Sequence, residues 1–148
     1  MTGAAEFVLL PISELRPHER IEESNALDLV ALLRRTQVLA DPIWVARGSW
    51  VILNGHHRVE ALRRLGAERV PAWVLDYESE LVHLERWHPG PPIAKSEVVR
   101  RAEEGRLFPP KTTRHRLLLD LPARTTALAE LLPGAAARKA HSRASERS

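Results

Sequence analysis

Three short polar segments of this chain combine residue types that suit the handling of an anionic substrate. They are His18-Glu19-Arg20 (the first segment), Asn54 to Arg58 (the second) and Lys111 to His115 (the third). Together they offer one carboxylate, which can take a proton from a hydroxyl group, and many cationic or neutral donors, which can hold phosphate oxygens. This inventory suits phosphoryl transfer, with Mg²⁺ bridging the phosphates. The prediction requires that the three segments, which are far apart in sequence, converge on one site.

The second segment lies where a predicted strand is followed by a helix. Residues 50–53 are apolar and favour a short buried strand, and Asn54-Gly55 favours a tight turn because both residues tolerate positive φ. From His56 onward, apolar residues recur at helical spacing. The unpaired N–H groups and the positive dipole end of such a helix form an anion site. Cations are unfavourable at that end, so histidines and Arg58 there indicate a bound phosphate or carboxylate.

Each segment also has a structural explanation, and these alternatives stay open at the level of sequence. Glu19 taken alone is more readily explained as a solvated loop charge, because most glutamates are exposed. His56 and His57 can simply cover the helix start, and adjacent helical residues point about 100° apart, so a shared zinc ion is not expected. Thr112 and Thr113 can cap the chain after two prolines through local hydrogen bonds.

The elements that must position these segments alternate between strands and helices. An α/β (α+β) fold with a small mixed sheet is therefore predicted. Pro71 indicates an edge or entry position for its strand. The predicted strands are residues 7–10, 43–46, 50–53, 70–75 and 117–121, and the predicted helices begin near residues 24 and 56 and span 80–87, 96–104 and 125–132.

Composition excludes several classes of protein. No cysteine is present, so disulfides, thiolate metal sites and thiol catalysis are excluded. No apolar run approaches the roughly 20 residues of a membrane span, no signal peptide is visible, and a cytoplasmic location is expected. The seven glycines are too scattered for a G-x-x-x-x-G-K-[ST] or G-x-G-x-x-G motif, which argues against a Walker-type kinase and a Rossmann dehydrogenase.

The positive charge of the chain is concentrated at its end. The formal net charge is +3, and residues 134–148 hold four basic residues against one acid, which accounts for all of it. A disordered basic tail is predicted there, attached to a body of about zero charge. Because binding of duplex DNA usually needs a basic face, a nucleic-acid partner is not expected for the body.

Several motifs resemble those of the ParB/sulfiredoxin superfamily, over about residues 7–76. They are Leu9-Leu-Pro-Ile-Ser-Glu-Leu-Arg-Pro-His-Glu19, Asp41-Pro-Ile-Trp-Val45 and Leu53-Asn-Gly-His-His-Arg58. His18-Glu19, the double histidine and Phe108-Pro-Pro-Lys-Thr-Thr-Arg-His115 are most similar to the free L-serine kinases of that superfamily. Those enzymes make O-phospho-L-serine from serine and ADP or ATP.

The resemblance implies roles for individual residues. Glu19 matches the proposed general base, with Asn54 and His57 as further catalytic candidates. Phosphate binding is implied for Gly55, His56, His57 and Arg58. Substrate binding is expected at His18, Trp87, Lys111, Thr112, Thr113 and His115. Mg²⁺ and a nucleotide, ADP or ATP, are the expected cofactors, with the metal ligands unknown. Asn54 departs from the family, which carries Asp there, so an altered acceptor or a non-catalytic relative stays possible.

The same resemblance gives a domain organisation and an alternative function. Residues 1–78 are expected to form the nucleotide-binding core, 79–133 a smaller part that completes the site, and 134–148 the tail. The alternative is a non-catalytic, nucleotide-sensing ParB-like regulator that binds DNA or a protein partner through the tail. Sulfiredoxin chemistry fits less well, because His56 occupies the place of its cysteine. The Gly-His-His-Arg turn also differs from the Gly-Glu-Arg-Arg-like turn of ParB partition proteins.

Overall fold

The structure, a computed structural model, describes residues 5–134, so that nearly all of the predicted tail lies outside the described residues. Eight strands and three α-helices follow one another, with a single 3₁₀ turn at Ile12–Glu14 and another at Leu128–Glu130. Their bounds are β1 (Ala5–Pro11), α1 (Glu23–Thr36), β2 (Val38–Leu39), β3 (Ile43–Ala46), β4 (Ile52–Asn54), α2 (His56–Arg64), β5 (Arg69–Leu75), β6 (Val82–Arg86), α3 (Lys95–Glu104), β7 (Thr113–Leu117) and β8 (Thr126–Ala127).

The centre of the fold is a mixed four-stranded sheet with the order β1-β5-β3-β4. β5 is antiparallel to β1 and parallel to β3, and β4 is antiparallel to β3. Two smaller antiparallel pairs, β6 with β7 and β2 with β8, accompany it. The predicted α/β fold with a small mixed sheet is confirmed.

Alternate side chains of β5 enter two different cores. Val70, Ala72 and Val74 pack with apolar residues of α1 and α2, whereas Trp73 and Leu75 pack with residues of β6 and α3. A strand that is covered on both faces is apolar throughout, as this one is after Arg69. The helices α1 and α2 therefore lie on one face of the sheet, and β6 and α3 lie on the other.

The central place of β5 corrects the prediction of an edge strand. Pro71 is buried between β1 and β3, and it is tolerated because pairing with β3 begins one residue later, at Ala72. The entry position that Pro71 also suggested is thus correct, and the edge position is wrong.

The predictions for the later part of the chain were less accurate. Residues 80–87, expected as a short helix, contain the strand β6. The strand expected at 117–121 is β7, which begins and ends earlier, at Thr113 and Leu117. Residues 125–132, also expected as a helix, pair through β8 with β2 and then make one 3₁₀ turn. Helices this short have little stability of their own, so pairing with a neighbouring strand decides the outcome.

No helix within residues 5–134 combines the length and the apolar character needed to cross a membrane.

Candidate active site

The turn between β4 and α2 depends on Gly55. Its φ is +112°, in the region that favours glycine. A Cβ atom there would lie 2.4 Å from Cγ2 of Ile43, because β3 passes directly behind the turn. The turn brings the N-terminal N–H groups of α2 to the end of the sheet, as the sequence predicts.

The two histidines at the start of α2 present neutral rings. Nε2 of His56 accepts the backbone N–H of His18 at 3.2 Å, and Nε2 of His57 accepts that of Glu22 at 2.9 Å. A ring nitrogen that accepts carries no proton, so each neutral ring holds its proton on Nδ1. Burial and the neighbouring histidine rings lower the pKa of His56 well below its ordinary value. The two histidines therefore act as neutral N–H donors at the helix start, and Arg58 is the cation of its first turn.

Arg58 is a partly buried cation that no carboxylate of residues 5–134 contacts as an ion pair. Its Nη1 donates to the carbonyl oxygens of Asp41 at 2.8 Å and Pro42 at 2.9 Å, and Nη2 lies 3.5 Å from Oδ1 of Asn54. Burial lowers the pKa of Arg58. A partly buried charge without an ion-pair partner among the described residues is costly, so this guanidinium favours an anion in its vicinity.

The first segment lies between β4 and the third segment. The N–H of Ile52 donates to Arg16 O at 2.9 Å, which holds this stretch beside β4. On the other side, Phe108 N donates to His18 O at 2.8 Å and Arg20 N donates to Phe108 O at 2.9 Å. These main-chain bonds bring distant parts of the chain together without any sequence motif.

The Glu19 carboxylate joins the first and third segments. Oε1 accepts the N–H groups of Thr112 at 3.2 Å and Thr113 at 2.9 Å, together with the Thr113 hydroxyl at 2.8 Å. Oε2 accepts only the N–H of Lys111, at 3.1 Å. Successive N–H groups that converge after a left-handed residue, here Lys111 at φ +58°, form an anion-binding concavity. Glu19 fills that concavity and holds the third segment in place.

His18 lies behind Thr113 rather than at the surface of the cavity. Its side chain is 1% exposed, Nδ1 lies 2.8 Å from Ile52 O, and Nε2 lies 2.8 Å from Thr113 Oγ1. Burial lowers the pKa of His18 to about 4. Contact between His18 and a substrate, as predicted from the sequence, does not fit this placement; support of Thr113 and Glu19 does.

His115 is held by a residue that the sequence analysis missed. Its Nε2 lies 2.7 Å from the hydroxyl of Tyr77, two residues after the end of β5. Burial and the nearby His18 lower the pKa of His115 to about 3, and burial raises the pKa of Tyr77. The position of Tyr77 just beyond the end of a buried strand was the available signal. The Nε2 of His115 therefore already has a hydrogen-bond partner, the Tyr77 hydroxyl, although the ring lines the cavity that is described next.

A cavity of about 710 Å³, called here the polar cavity, collects residues of all three segments. Trp87 stands at its wall, with the Arg114 guanidinium 4.9 Å from the centre of its ring. Two predicted residues lie outside the lining, His18 and Thr112, whose hydroxyl donates to Pro109 O at 2.7 Å. The predicted residues that line it are Glu19, Asn54, Gly55, His56, His57, Arg58, Trp87, Lys111, Thr113 and His115.

A second cavity, of about 780 Å³, adjoins the first and is lined mainly by apolar side chains. It lies between α1 and residues 117–123 and is called here the adjoining cavity. Five residues line both cavities: Leu29, Trp44, Asn54, Arg58 and Leu117. No sequence pattern indicates this cavity, because its walls come from elements that meet only in the folded chain.

The described residues do not form a protein-built metal centre. Within residues 5–134 no group of three or more His, Asp or Glu side chains is arranged to hold a metal ion. Mg²⁺ takes oxygen ligands and is commonly bound by one or two carboxylates together with substrate phosphates. The single carboxylate of the polar cavity, that of Glu19, already receives four hydrogen bonds.

No protein-family model matches the chain. A protein from Staphylothermus marinus named ATP-dependent L-serine kinase is 36% identical over 88 residues, which are 57% of this chain and 35% of that protein. The ADP-dependent L-serine kinase SerK of Thermococcus kodakarensis is 27% identical over 107 residues, 70% of this chain and 44% of the relative. A ParB-like protein from Sulfolobus acidocaldarius is 41% identical over 75 residues, 51% of this chain and 37% of the relative.

A solved structure, a free serine kinase in complex with AMP, superposes with a TM-score of 0.79. The match covers 88% of this chain and 95% of the other, at 18% sequence identity. This chain has the fold of the free serine kinases. The predicted resemblance to the ParB/sulfiredoxin superfamily and its serine kinase branch is confirmed. The chain spans only 35 to 44% of the length of the curated relatives described above.

Proposed function

We propose that this chain is a nucleotide-dependent kinase that transfers a phosphoryl group to the hydroxyl of free L-serine, or of a close analogue, and gives O-phospho-L-serine. The observation that carries the proposal is the polar cavity, where one fixed carboxylate faces a helix start rich in neutral and cationic donors. The serine kinase names of relatives and the free serine kinase fold support it. The cytoplasmic location predicted from the sequence is part of this proposal.

Glu19 is the proposed general base, through Oε2. A carboxylate has about four acceptor positions, two on each oxygen. Oε1 already receives three hydrogen bonds, whereas Oε2 receives one, from Lys111 N. Oε2 therefore keeps a free position for the substrate hydroxyl. The hydrogen bonds from residues 111–113 hold the carboxylate in one orientation, so that it is already positioned for the substrate hydroxyl.

The donors at the start of α2 are proposed to hold the phosphoryl group. They are the N-terminal N–H groups of the helix, the Nδ1–H groups of His56 and His57 and the guanidinium of Arg58. Lys111 adds a second cation at the rim. Positive charge and fixed dipoles around the transferring group stabilise the charge that spreads over its oxygens in the transition state. Trp87, Thr113 and His115 are proposed to shape the pocket for the amino acid.

The adjoining cavity is the proposed site of the nucleoside. A base and a ribose suit its mainly apolar walls, and Asn54 and Arg58 at the junction lead from it to the start of α2. Ligand pockets of this size are generally lined by apolar residues with a few fixed polar groups. ADP and ATP both fit this arrangement, in line with the two donors named for the relatives.

Mg²⁺ is proposed to arrive with the nucleotide, bound mainly by its phosphates and by water. The oxygen ligands that line the polar cavity fit this mode of binding. They are the carboxylate of Glu19, which already accepts hydrogen bonds, and the amide oxygen of Asn54. Bound in this way, the ion neutralises phosphate charge, and the remaining compensation comes from Arg58 and Lys111.

The test is direct. The protein is incubated with serine, Mg²⁺ and either ADP or ATP, and the product is measured by mass spectrometry, with threonine and homoserine as alternative acceptors. We expect phosphoserine with at least one nucleotide. The absence of any phosphorylated amino acid with either donor overturns the proposal.

A nucleotide-sensing regulator is the second candidate, and the ParB-like relative favours it. This hypothesis predicts that the protein binds DNA, that the binding weakens as the salt concentration rises, and that it is lost when residues 134–148 are removed. Binding that survives the truncation, or no binding at all, counts against it. The serine kinase fold over 88% of the chain favours the enzyme.

A further inference from the structure

The hydroxyl of Thr113 lies between two acceptors that it cannot serve at once. Oγ1 is 2.8 Å from Oε1 of Glu19 and 2.8 Å from Nε2 of His18. A threonine side chain has a single hydroxyl hydrogen, so it donates to one partner at a time. The other contact is then left without a proton, unless the second partner supplies one.

The state of the His18 ring is fixed from its other side. Nδ1 lies 2.8 Å from the carbonyl oxygen of Ile52, which can only accept, so Nδ1 carries a proton. Burial lowers the pKa of His18 to about 4, and the ring is neutral near pH 7 with Nε2 as an acceptor. The groups packed around it are the rings of His56 on α2, His115 on β7 and Phe108.

The carboxylate is the better acceptor only while it is ionised. Hydrogen bonds to a charged oxygen are roughly twice as strong as those between neutral groups. Once Glu19 is protonated, the imidazole nitrogen of His18 becomes the stronger competitor for the hydroxyl hydrogen. The backbone N–H groups of Thr112 and Thr113 have no alternative partner here and stay with Oε1 in both states.

We infer that the Thr113 hydroxyl donates to ionised Glu19 and turns to His18 when Glu19 takes the proton of the substrate hydroxyl. The inference rests on the proposed kinase function. In this step the O–H bond of the substrate breaks, and the proton moves to Oε2 of Glu19. The substrate oxygen forms a bond to the phosphorus of the transferred group, the bond from that phosphorus to the nucleotide oxygen breaks, and the shortened nucleotide leaves. The Thr113 proton stays on its own oxygen and only changes partner, so His18 gains no charge. His18 is thus a positioning residue that makes the uptake of a proton by Glu19 easier.

Two variants separate this coupling from a structural role, because they act in opposite directions. Thr113→Val removes the donor that stabilises ionised Glu19, so the acid limb of the kcat/KM profile moves to higher pH, by about one unit for one charge-assisted bond. His18→Asn keeps a donor to Ile52 O and loses the acceptor for Thr113. The hydroxyl then always serves Glu19, and the acid limb moves to lower pH, by a fraction of a unit.

The double variant and a matched control complete the experiment. In the Thr113→Val background, His18→Asn is expected to cause no further shift, because the hydroxyl that links the two residues is gone. Thr125→Val, which removes an exposed hydroxyl outside the polar cavity, is expected to leave the profile unchanged. Shifts in the same direction, or independent shifts that add in the double variant, overturn the inference.

A readout without catalysis separates this inference from the proposed function. The ¹³C signal of the Glu19 carboxyl carbon, titrated in the same variants, should show the same directions of shift. The ¹⁵N signals of His18 should show a proton on Nδ1 and an unprotonated Nε2. If wild-type protein makes no phosphoserine while these signals behave as expected, the kinase assignment fails and the coupling stands. Unchanged carboxyl titrations in an active enzyme refute the coupling alone.

Discussion

At the scale of single residues, chemical type was easier to predict than orientation. Glu19 and the α2 start were chosen from the sequence because few residue types can accept a proton or hold phosphate. His18 was expected to touch the substrate, yet it faces the interior and bonds to Ile52 O and Thr113. In a loop without periodicity, nothing in the sequence tells which of two adjacent side chains points into a cavity. The supporting residue Tyr77 was missed for the same reason.

Glu19→Gln is expected to abolish most turnover. The amide cannot take up the serine proton, and general base catalysis commonly contributes about 10²- to 10⁴-fold, so kcat should fall within that range. Glu22→Gln is the matched control, because Glu22 lies near Lys111, at 3.6 Å from its Nζ, but outside the lining of the polar cavity. Steady-state assays with the mass-spectrometric product measurement provide the comparison. Equal losses in the two variants would show that charge near Lys111, rather than a base, matters.

Asn54→Asp is expected to retain turnover. The new carboxylate would lie near Nη2 of Arg58, where Oδ1 of Asn54 is now at 3.5 Å, and would form an ion pair with that partly buried cation. The helix start and Glu19 stay unchanged, so the chemistry at the hydroxyl is preserved. The same assay at several Mg²⁺ concentrations shows whether the added acid alters the dependence on the metal. Complete inactivity of this variant would contradict the view that the turn works with either an amide or a carboxylate at this position.

At the scale of elements, strands and helices that are long or strongly periodic were predicted correctly. β1, β3, β5 and the helices α1 and α2 follow from apolar spacing and from the glycine turn. The short elements after β5 were assigned wrongly, because β6 and β8 are determined by their pairing with β7 and β2. Their local patterns are compatible with a helix, and contacts with distant parts of the chain decide otherwise.

Gly55→Ala tests the element that the site depends on most. A left-handed φ of +112° and the 2.4 Å approach to Cγ2 of Ile43 both oppose a Cβ atom, so we expect a loss of about 2 kcal/mol or more in the free energy of unfolding. Gly48→Ala is the matched control: its φ is +89°, but nothing lies within 4 Å of the added carbon. Its loss should stay near 1 kcal/mol. Urea unfolding of the three proteins gives the values, and similar losses would show that the contact with Ile43 is unimportant.

At the scale of the whole molecule, the arrangement of the site follows from topology that the sequence does not display. The first segment is held beside β4 by main-chain bonds, and the third segment is held against the first by Phe108 and by the Glu19 carboxylate. None of these bonds depends on a recognisable motif. The adjoining cavity likewise exists only because α1 meets residues 117–123. The sequence therefore predicts the types of the site residues and the start of α2. It does not predict the adjoining cavity, where the nucleoside is proposed to bind.

The cluster of buried histidines should make the whole fold sensitive to acid. Burial lowers the pKa of His18 to about 4 and that of His115 to about 3, and the pKa of His56 is also well below its ordinary value of 6.5. The unfolded chain, where these groups titrate near 6.5, binds more protons than the folded chain between that pH and about 4. Stability is therefore fully present above pH 6.5 and falls as the pH decreases through this window.

The expected slope is steep, because each histidine contributes up to about 1.4 kcal/mol per pH unit and three act together. Urea unfolding midpoints measured at pH 7, 6 and 5 should decrease progressively, at constant ionic strength. His115→Gln removes one of the three groups, so its profile should be flatter, even though the loss of the bond to Tyr77 makes the variant less stable at pH 7. A wild-type midpoint that is constant from pH 7 to 5 would mean that these rings gain protons in the folded protein as readily as in the unfolded chain, and are therefore mostly charged at pH 5. Charged rings are incompatible with the neutral acceptor that His56 presents to the His18 N–H, so the same titration tests the description of the helix start on which phosphate binding is proposed to depend.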